Sequence, residues 1–187
     1  MLSGSSIVTQ PEEVRRKIGF LTSELKLEDF FTPDYLYDFF SELYGIPTDR
    51  RDARKCMLFA RFGIQEFAQV RVRDLSTGMK QKVSLVISLV QDPEIIIFDE
   101  PTNGLDILTA KVVTDFLLDL KEQGKTIIIS THIFSLVEKI CDRVGIIING
   151  RMAACEDLRT LCGDKSLEDR FFEIYEAVNG EDENHDK

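Results

Sequence analysis

The stretch from Ile95 to Asp106 reads IIIFDEPTNGLD, an apolar run that stops abruptly at two carboxylates. A short run rich in β-branched residues is typical of a strand that is buried on both faces of a sheet. We therefore expect Asp99 and Glu100 to stand at the carboxyl end of a strand, which is the edge where open α/β sheets bind ligands. A buried strand that ends in two ordinary solvated acids is the alternative.

Two adjacent acids at such an edge suit a specific chemistry. One carboxylate can hold Mg²⁺ through water, while its neighbour orients or deprotonates an attacking water molecule. Pro101 stops the strand, and Gly104 permits a tight turn that brings Asp106 back across the same edge. The pattern predicts a site in which Asp99 and Glu100 are the working acids.

A second candidate site precedes this strand, where the chain reads Ser76-Thr77-Gly78-Met79. Ser76 is a natural N-cap, so the next residues form a first helical turn whose backbone N–H groups lack helical partners. Such a helix end attracts anions, and Gly78 would let a ligand approach closely. An ordinary capped helix is the alternative, since it would show Ser or Thr here too.

One histidine falls near the same predicted edge. The residues from Thr126 to Ser130 predict another buried strand, and His132 stands just past its carboxyl end. In a parallel sheet His132 would share an edge with Asp99 and Glu100, where a neutral imidazole could hydrogen-bond a phosphate and a water. The alternative is an incidental residue beside a helix cap.

A helical region is predicted between the first strand, at residues 18–21, and Ser76. Thr32 and Pro33 form a helix start, and a second helix is predicted from Asp52 to Phe62. The first helix carries an aromatic and aliphatic face made of Tyr35, Leu36, Phe39, Phe40, Leu43 and Tyr44. We expect this face to pack against the domain's own core, and a surface for a partner helix is the alternative.

Composition narrows the classes of function. The 187 residues are 43% hydrophobic, enough for one sizeable core, and the net charge of −10 disfavours nucleic acid as a partner. The four cysteines form no Cys-x-x-Cys pair and only two histidines are present, so we expect reduced thiols and no zinc site. The first residues lack a signal-peptide pattern and no apolar run is long enough to span a membrane, which predicts a cytoplasmic protein.

Four motifs in one order resemble the ATP-binding cassette (ABC) ATPase domain. Residues 75–79, Leu-Ser-Thr-Gly-Met, look like the family signature Leu-Ser-Gly-Gly-Gln, and residues 95–100 look like its Walker B strand. Residues 103–106 match its D-loop, and residues 130–132 match its switch-histidine motif. The resemblance extends from about residue 14 to about residue 178 and implies a P-loop NTPase-like α/β fold, with a parallel sheet core and an inserted helical subdomain.

The resemblance implies a role for each site residue. Asp99 would bind Mg²⁺, Glu100 would be the general base, and His132 would contact the γ-phosphate of ATP. Two cassettes of this family sandwich ATP, so Ser76, Thr77, Gly78 and Met79 would face nucleotide held by a second cassette. Asp106 would communicate across that dimer. A transmembrane permease subunit would be the other partner, which implies an ATPase that drives transport from the inner face of the cell membrane.

The chain departs from the family pattern in three places. Thr77 and Met79 replace a glycine and a glutamine of the signature, and Ser23, followed by Glu24, stands where the Q-loop glutamine is expected. The third departure is the largest, since no Gly-x-x-x-x-Gly-Lys-Ser/Thr phosphate loop (Walker A) occurs in the 187 residues. We therefore expect an N-terminally truncated cassette, and a non-hydrolysing remnant that lends its signature motif to a complete cassette is the alternative.

The expected organisation is a single partial ABC domain over residues 1–178. It comprises a helical subdomain and signature approach at about 30–75, a core at 76–154 and C-terminal helices at 155–178. The acidic residues 179–187 are predicted to be disordered. Residues 19–23 and 171–175 look most like cassettes of sodium and drug efflux systems, so an exporter is expected.

Overall fold

The computed structural model describes the backbone of residues 6–22 and 27–185, and side chains as far as Gly180. Ser23 and Glu24, where the Q-loop pattern is broken, lie outside the described residues. The chain forms two compact units, residues 1–130 and residues 131–187. Each unit is described by itself.

The first unit is an α/β unit in which three short strands alternate with helices. Its elements in chain order are α1 (Pro11–Lys17), β1 (Ile18–Leu21), α2 (Pro33–Leu43), α3 (Thr48–Phe62), two 3₁₀ turns (Ile64–Phe67 and Val72–Asp74), α4 (Thr77–Ser88), β2 (Ile95–Asp99), α5 (Ile107–Glu122) and β3 (Thr126–Ser130). The strands form one parallel sheet in the order β1-β2-β3. The expected α/β fold with a parallel sheet is thereby confirmed.

The two faces of this sheet differ in burial. Leu21, Ile96 and Phe98 are fully buried on the face against which α4 and α5 pack, whereas Phe20 and Ile128 on the opposite face are 55% and 54% exposed. On β2 itself, Ile95 and Ile97 on that opposite face are partly exposed, so the expectation that the central strand is buried on both faces is wrong for the described structure. The opposite face is exposed because, among the described helices, α4 and α5 pack against one face only. An apolar run in the sequence does not show which elements will cover the strand.

Gly19 sits where β1 meets the end of α4. A methyl group at this position would lie 2.6 Å from the Ser88 carbonyl oxygen and 2.7 Å from Cγ of Pro93. We expect Gly19→Ala to lower the free energy of unfolding by about 1–3 kcal/mol, because backbone atoms must shift to admit the methyl group. Urea unfolding measures the change in the free energy of unfolding. Gly45→Ala would not serve as a control, because Gly45 has a positive φ of 69°. Gly180→Ala, which has open space around it, is the matched control, and equal effects of both changes would contradict the prediction.

The helical region between β1 and α4 has two main helices. Thr32 caps α2 by accepting a hydrogen bond from the Tyr35 backbone N–H at 3.2 Å, as its Thr-Pro start predicts. The second helix, α3, begins at Thr48 rather than at Asp52, since Pro47 precedes its first turn. Lys55 of α3 bonds both carboxylate oxygens of Asp38 in α2 at 3.0 Å, which ties the two helices together.

The aromatic face of α2 is only partly buried. Leu36 is 4% exposed, but Tyr35, Phe39 and Leu43 are 49%, 47% and 66% exposed. The expectation that this whole face packs into the domain's own core is therefore wrong. Phe31, Tyr35 and Phe39 instead stack in a row, with ring centroids 4.6 and 6.3 Å apart.

The second unit is built on a β-hairpin. Its elements are α6 (Phe134–Ile140), β4 (Arg143–Ile148), β5 (Arg151–Asp157), α7 (Leu158–Cys162) and α8 (Leu167–His185). Asn149 and Gly150 both have positive φ at the turn between the antiparallel strands, the conformation that an Asn-Gly hairpin turn requires. Ile146, Ile148, Leu161 and Leu167 form its buried core.

The helix α8 continues into the acidic segment. Residues 179–185 have helical backbone, where the composition predicted disorder. The segment contains no proline, and its two glutamates are good helix formers that extend the helix already formed before them. None of the helices in the described parts of the chain combines the length and the apolar character needed to cross a membrane.

Candidate functional site

The two predicted acids stand at the carboxyl end of β2. Asp99 is the last residue of the strand and accepts a hydrogen bond from the hydroxyl of Ser130, its register partner at the end of β3. The Glu100 backbone N–H donates to the Ser130 carbonyl oxygen at 2.9 Å. Both acids are half-buried. One serine on the neighbouring strand thus positions the side chain of one acid and the backbone of the other.

Glu100 has a left-handed backbone conformation, with φ at 48°. Non-glycine residues adopt this region at a cost of about 1 kcal/mol or more, and such residues concentrate at functional sites. The conformation is held on both sides, because the Glu100 carbonyl oxygen also accepts from the Asn103 N–H at 3.1 Å. The backbone of the turn therefore directs the Glu100 carboxylate.

The amino end of α4 has the geometry that the sequence predicts. The Ser76 hydroxyl caps the helix by accepting from the Met79 N–H at 3.3 Å, and Ser76 and Thr77 are exposed. The nearest atom that a methyl group on Gly78 would meet is the Gly104 carbonyl oxygen, at 3.9 Å. There is room for a ligand at this helix end, and it lies close to the turn that follows Glu100.

Asp106 is the N-cap of α5. Its carboxylate accepts hydrogen bonds from the N–H groups of Leu108 and Thr109, each at 3.0 Å, and from the Thr109 hydroxyl at 2.7 Å. The Thr109 hydroxyl bond, followed by the Thr109 backbone bond, holds the pKa of Asp106 below its ordinary value. The sequence reasoning missed this capping role, although an Asp three residues before a Thr at a helix start is a recognisable signal.

The pKa of Asp106 predicts an acid-dependent loss of stability. A carboxyl group with a lower pKa in the folded state stabilises the fold above its unfolded pKa, and this contribution is lost as the pH falls through the folded pKa. Asp106→Asn keeps a cap but removes the charge, so we expect its free energy of unfolding to fall less than that of the wild type below about pH 4. Urea unfolding across this pH range is the measurement. Identical pH profiles for the two proteins would refute the prediction.

His132 belongs to the second unit. It lies in the short connection between β3 and α6, where its side chain is exposed. The structure places Asp99, Glu100, Asp106 and the four residues of the signature, Ser76 to Met79, in the first unit. The participation of His132 stays a prediction from the motif.

The acidic residues at the end of β2 are suited to a magnesium ion that is also bound by the phosphates of a ligand. Among the described residues, no group of three or more His, Cys, Asp or Glu side chains is placed to hold a metal. Mg²⁺ does not need such a cage, because it is usually held by one or two carboxylates, several waters and the phosphates themselves. Asp99, whose carboxylate accepts the hydrogen bond from Ser130, would be the residue for that role.

Acids at the edge of a parallel sheet with an open helix end beside them are typical of a phosphate-binding α/β protein. Residues 2–103 match the ABC transporter family. The chain is 38% identical over 169 residues to the ABC transporter ATP-binding protein NatA of Bacillus subtilis, an alignment that covers 90% of this chain and 69% of NatA. The chain belongs to the ABC transporter family, within its ATP-binding domain.

Other relatives and a solved structure agree with this assignment. A fluoroquinolones export ATP-binding protein of Mycobacterium tuberculosis is 36% identical over 118 residues, which are 63% of this chain and 38% of that protein. The structure of an ATP binding subunit of an ABC transporter superposes with a TM-score of 0.86 at 27% identity, covering 91% of this chain and 73% of that chain. The chain spans 57% of an uncharacterized relative from Methanocaldococcus jannaschii, so it matches only part of several relatives.

Proposed function

We propose that this chain is the ATP-binding and ATP-hydrolysing part of an ABC transporter subunit, and that hydrolysis drives transport through a partner permease. The observation that carries the proposal is the joint placement of Asp99 and Glu100 by Ser130 at the end of β2. The open end of α4 close to Gly104 supports it, because the signature and the turn after the acids then face one region. Family membership supports the same function at a coarser level.

The roles of the residues follow from their chemistry. Asp99 holds Mg²⁺, which when bound neutralises phosphate charge. Glu100 orients the attacking water and accepts its proton, and its strained backbone fixes the direction of its carboxylate. His132 donates a hydrogen bond to the γ-phosphate. These assignments rest on the motifs and on the geometry of the first unit.

A second cassette is the proposed dimer partner. Residues Ser76, Thr77, Gly78 and Met79 would contact the phosphates of nucleotide held by that cassette, through the N–H groups of the first turn of α4. Ile107 and Leu108, directly after Asp106, are 88% and 77% exposed and are the apolar side chains available for this contact. Asp106 sets their position by capping α5, which is how it would communicate across the dimer.

The exposed face of α2 is the proposed contact with the permease. The stacked row of Phe31, Tyr35 and Phe39 is contiguous and solvent-accessible, as expected of an interface. This contact would hold the protein at the inner face of the cell membrane. Export is the proposed direction, and one relative, a fluoroquinolones export ATP-binding protein, supports it by its name.

A second candidate is a non-hydrolysing module that lends its signature to a complete cassette. It is favoured by one observation, namely that the signature helix is well formed, with Ser76 capping α4 and its first turn accessible.

Equilibrium dialysis with Mg-ATP separates the two candidates. The hydrolysing subunit predicts that the chain binds Mg-ATP, and the lending module predicts binding only after a complete cassette is added. Tight binding of Mg-ATP by the chain alone would therefore reject the lending module. No binding and no effect on the turnover of a complete cassette, at any ratio of the two proteins, would reject both candidates.

A further inference from the structure

Three segments of the first unit meet at the carboxylate of Asp92. Asp92 lies in the turn between α4 and β2, and its Oδ1 atom is 3.1 Å from Nη2 of Arg54 in α3. The same oxygen is 2.9 Å from Nζ of Lys125, the residue before β3. The side chains of Arg54 and Lys125 are 21% and 16% exposed, so two largely buried cations converge on one carboxylate.

Both cations also hold the backbone of this turn. Nε of Arg54 donates to the Leu89 carbonyl oxygen at 3.2 Å, and Nζ of Lys125 donates to the Asp92 carbonyl oxygen at 3.1 Å. Asp92 has a left-handed backbone conformation, with φ at 54°. A residue other than glycine keeps this conformation where its surroundings impose it. The turn is therefore held both at the Asp92 carboxylate and at its backbone.

The charge of Asp92 is what joins these segments. Partial burial opposes ionisation of the carboxyl group, but the hydrogen bond from Lys125 and the charge of Arg54 outweigh burial and hold the pKa of Asp92 below its ordinary value. An amide in place of the carboxylate would remove the anion that separates the two cations, and like charges repel each other. Loss of the charge alone would therefore loosen the turn.

This turn connects the two elements that carry the candidate site. The helix α4 presents residues 76–79 at its amino end, and β2 ends at Asp99. Both far ends lie together, since a Cβ atom at Gly78 would be 3.9 Å from the Gly104 carbonyl oxygen. With 12 residues α4 is roughly 18 Å long, so a rotation of about 3° at its carboxyl end would move the signature by about 1 Å.

The bond from Lys125 acts on the strands. Together with the hydrogen bond from the Thr126 N–H to the Glu94 carbonyl oxygen at 2.9 Å, it joins the start of β3 to the start of β2. The register set there continues along both strands and places Ser130 opposite Asp99 at their carboxyl ends. A shift between the two strand starts would therefore reach the hydrogen bond between these two side chains.

We propose that Asp92 is a positioning residue that, through Arg54 and Lys125, holds the signature and the two acids of one chain at a fixed separation. The inference rests on the proposed function, in which the signature faces nucleotide held by a second cassette while the acids act on nucleotide at their own sheet edge. One carboxylate then aligns the chain with both nucleotides of the dimer. A displacement of about 1 Å at a reacting centre can cost about 100-fold in rate, so an ion pair remote from the chemistry can control turnover.

Hydrogen exchange of the chain without nucleotide tests whether Asp92 holds the far end of β2. Asp92→Asn removes the charge, and asparagine tolerates a positive φ, so the turn should still form. We expect the amides of Glu100 and Asn103 to exchange about 10-fold faster or more in this variant. An increase confined to residues next to Asp92, an equal increase throughout the first unit, or no increase would each overturn the inference.

Arg61→Met is the matched control for these exchange measurements. Arg61 also belongs to α3, but it pairs with Asp119 of α5, Nη1 to Oδ2 at 2.6 Å, so this change removes an ion pair from the same helix to a different element. It should leave the exchange of the Glu100 and Asn103 amides unchanged. Equal acceleration in Arg61→Met and Asp92→Asn would contradict the proposed role.

A double-mutant cycle tests whether Arg54 and Asp92 act together. Arg54→Met should accelerate exchange at Glu100 as Asp92→Asn does. The double variant should show less than the combined effect of the two changes, because removing Arg54 relieves the repulsion that Asp92→Asn creates. Simple additivity would show that the two residues act independently and would reject the ion pair as the cause.

Steady-state kinetics of a complete cassette that carries this sequence test the effect on turnover. Asp92→Asn is expected to lower kcat by about 10- to 100-fold while KM for ATP changes by less than about 2-fold, because the groups that bind ATP are present but misaligned. Arg61→Met should retain the wild-type kcat. An unchanged kcat in Asp92→Asn would reject the inference. A wild-type cassette without turnover would instead reject the proposed function, and the exchange experiment would still decide whether Asp92 positions the site.

Discussion

Replacing Glu100 by glutamine is expected to lower ATP turnover by roughly 10²–10⁴-fold in a complete cassette that carries this sequence. Glutamine preserves the size of the side chain and its capacity to orient a water molecule, but it cannot accept the water's proton. The backbone hydrogen bonds that hold residue 100, from its N–H to Ser130 and from Asn103 to its carbonyl oxygen, are unaffected by the change. ATP binding should therefore persist while turnover is lost.

The measurement is steady-state phosphate release together with nucleotide binding. Glu94→Gln is the matched control, because Glu94 is an exposed acid at the opposite end of the same strand and far from the carboxyl edge. Its turnover should equal that of the wild type. Unchanged turnover in Glu100→Gln would remove Glu100 from the mechanism.

Replacing Gly78 by aspartate is expected to weaken ATP-dependent association of two cassettes by about 100-fold or more, because a carboxylate a few ångströms from a phosphate is strongly repelled. The same change should leave the fold intact. A Cβ atom at residue 78 would meet only the Gly104 carbonyl oxygen, at 3.9 Å, and an acid in the first turn of a helix is favoured by the helix dipole. The variant therefore tests anion binding at the amino end of α4 without lowering the stability of that helix.

Association is measured by analytical ultracentrifugation with and without Mg-ATP. Gly78→Ala adds volume without charge and should retain most of the association, while urea unfolding should show Gly78→Asp to be as stable as the wild type. If alanine and aspartate weakened association equally, steric fit rather than phosphate repulsion would be the cause. If aspartate had no effect, the amino end of α4 would not face a phosphate.

Local signals in the sequence predicted much of the first unit correctly. Thr32 and Ser76 both cap their helices as expected, because a capping hydroxyl acts on residues only three positions away. The strand that ends at Asp99 is likewise decided by neighbouring residues. Where the cause lies within a few residues, the sequence is sufficient.

Features that depend on distant residues were not predictable. The bond from Ser130 to Asp99 requires the register of two strands that are 31 residues apart, and no local pattern specifies it. The exposure of Phe20 and Ile128 depends on which helices cover the sheet rather than on the apolar strands themselves. The left-handed conformation of Glu100 contradicts the preference of its residue type, so only the surrounding turn can impose it.

At position 100, the residue type that would stabilise the fold differs from the residue type that hydrolysis would require. Glycine, and to a lesser degree asparagine, adopts a positive φ at lower cost, so folding alone would favour either residue at position 100. Only a requirement for the carboxylate would retain glutamate. A relative of this chain that no longer needed to hydrolyse nucleotide would gain stability by replacing Glu100. The residue at this position in each relative would therefore indicate whether that relative still hydrolyses nucleotide.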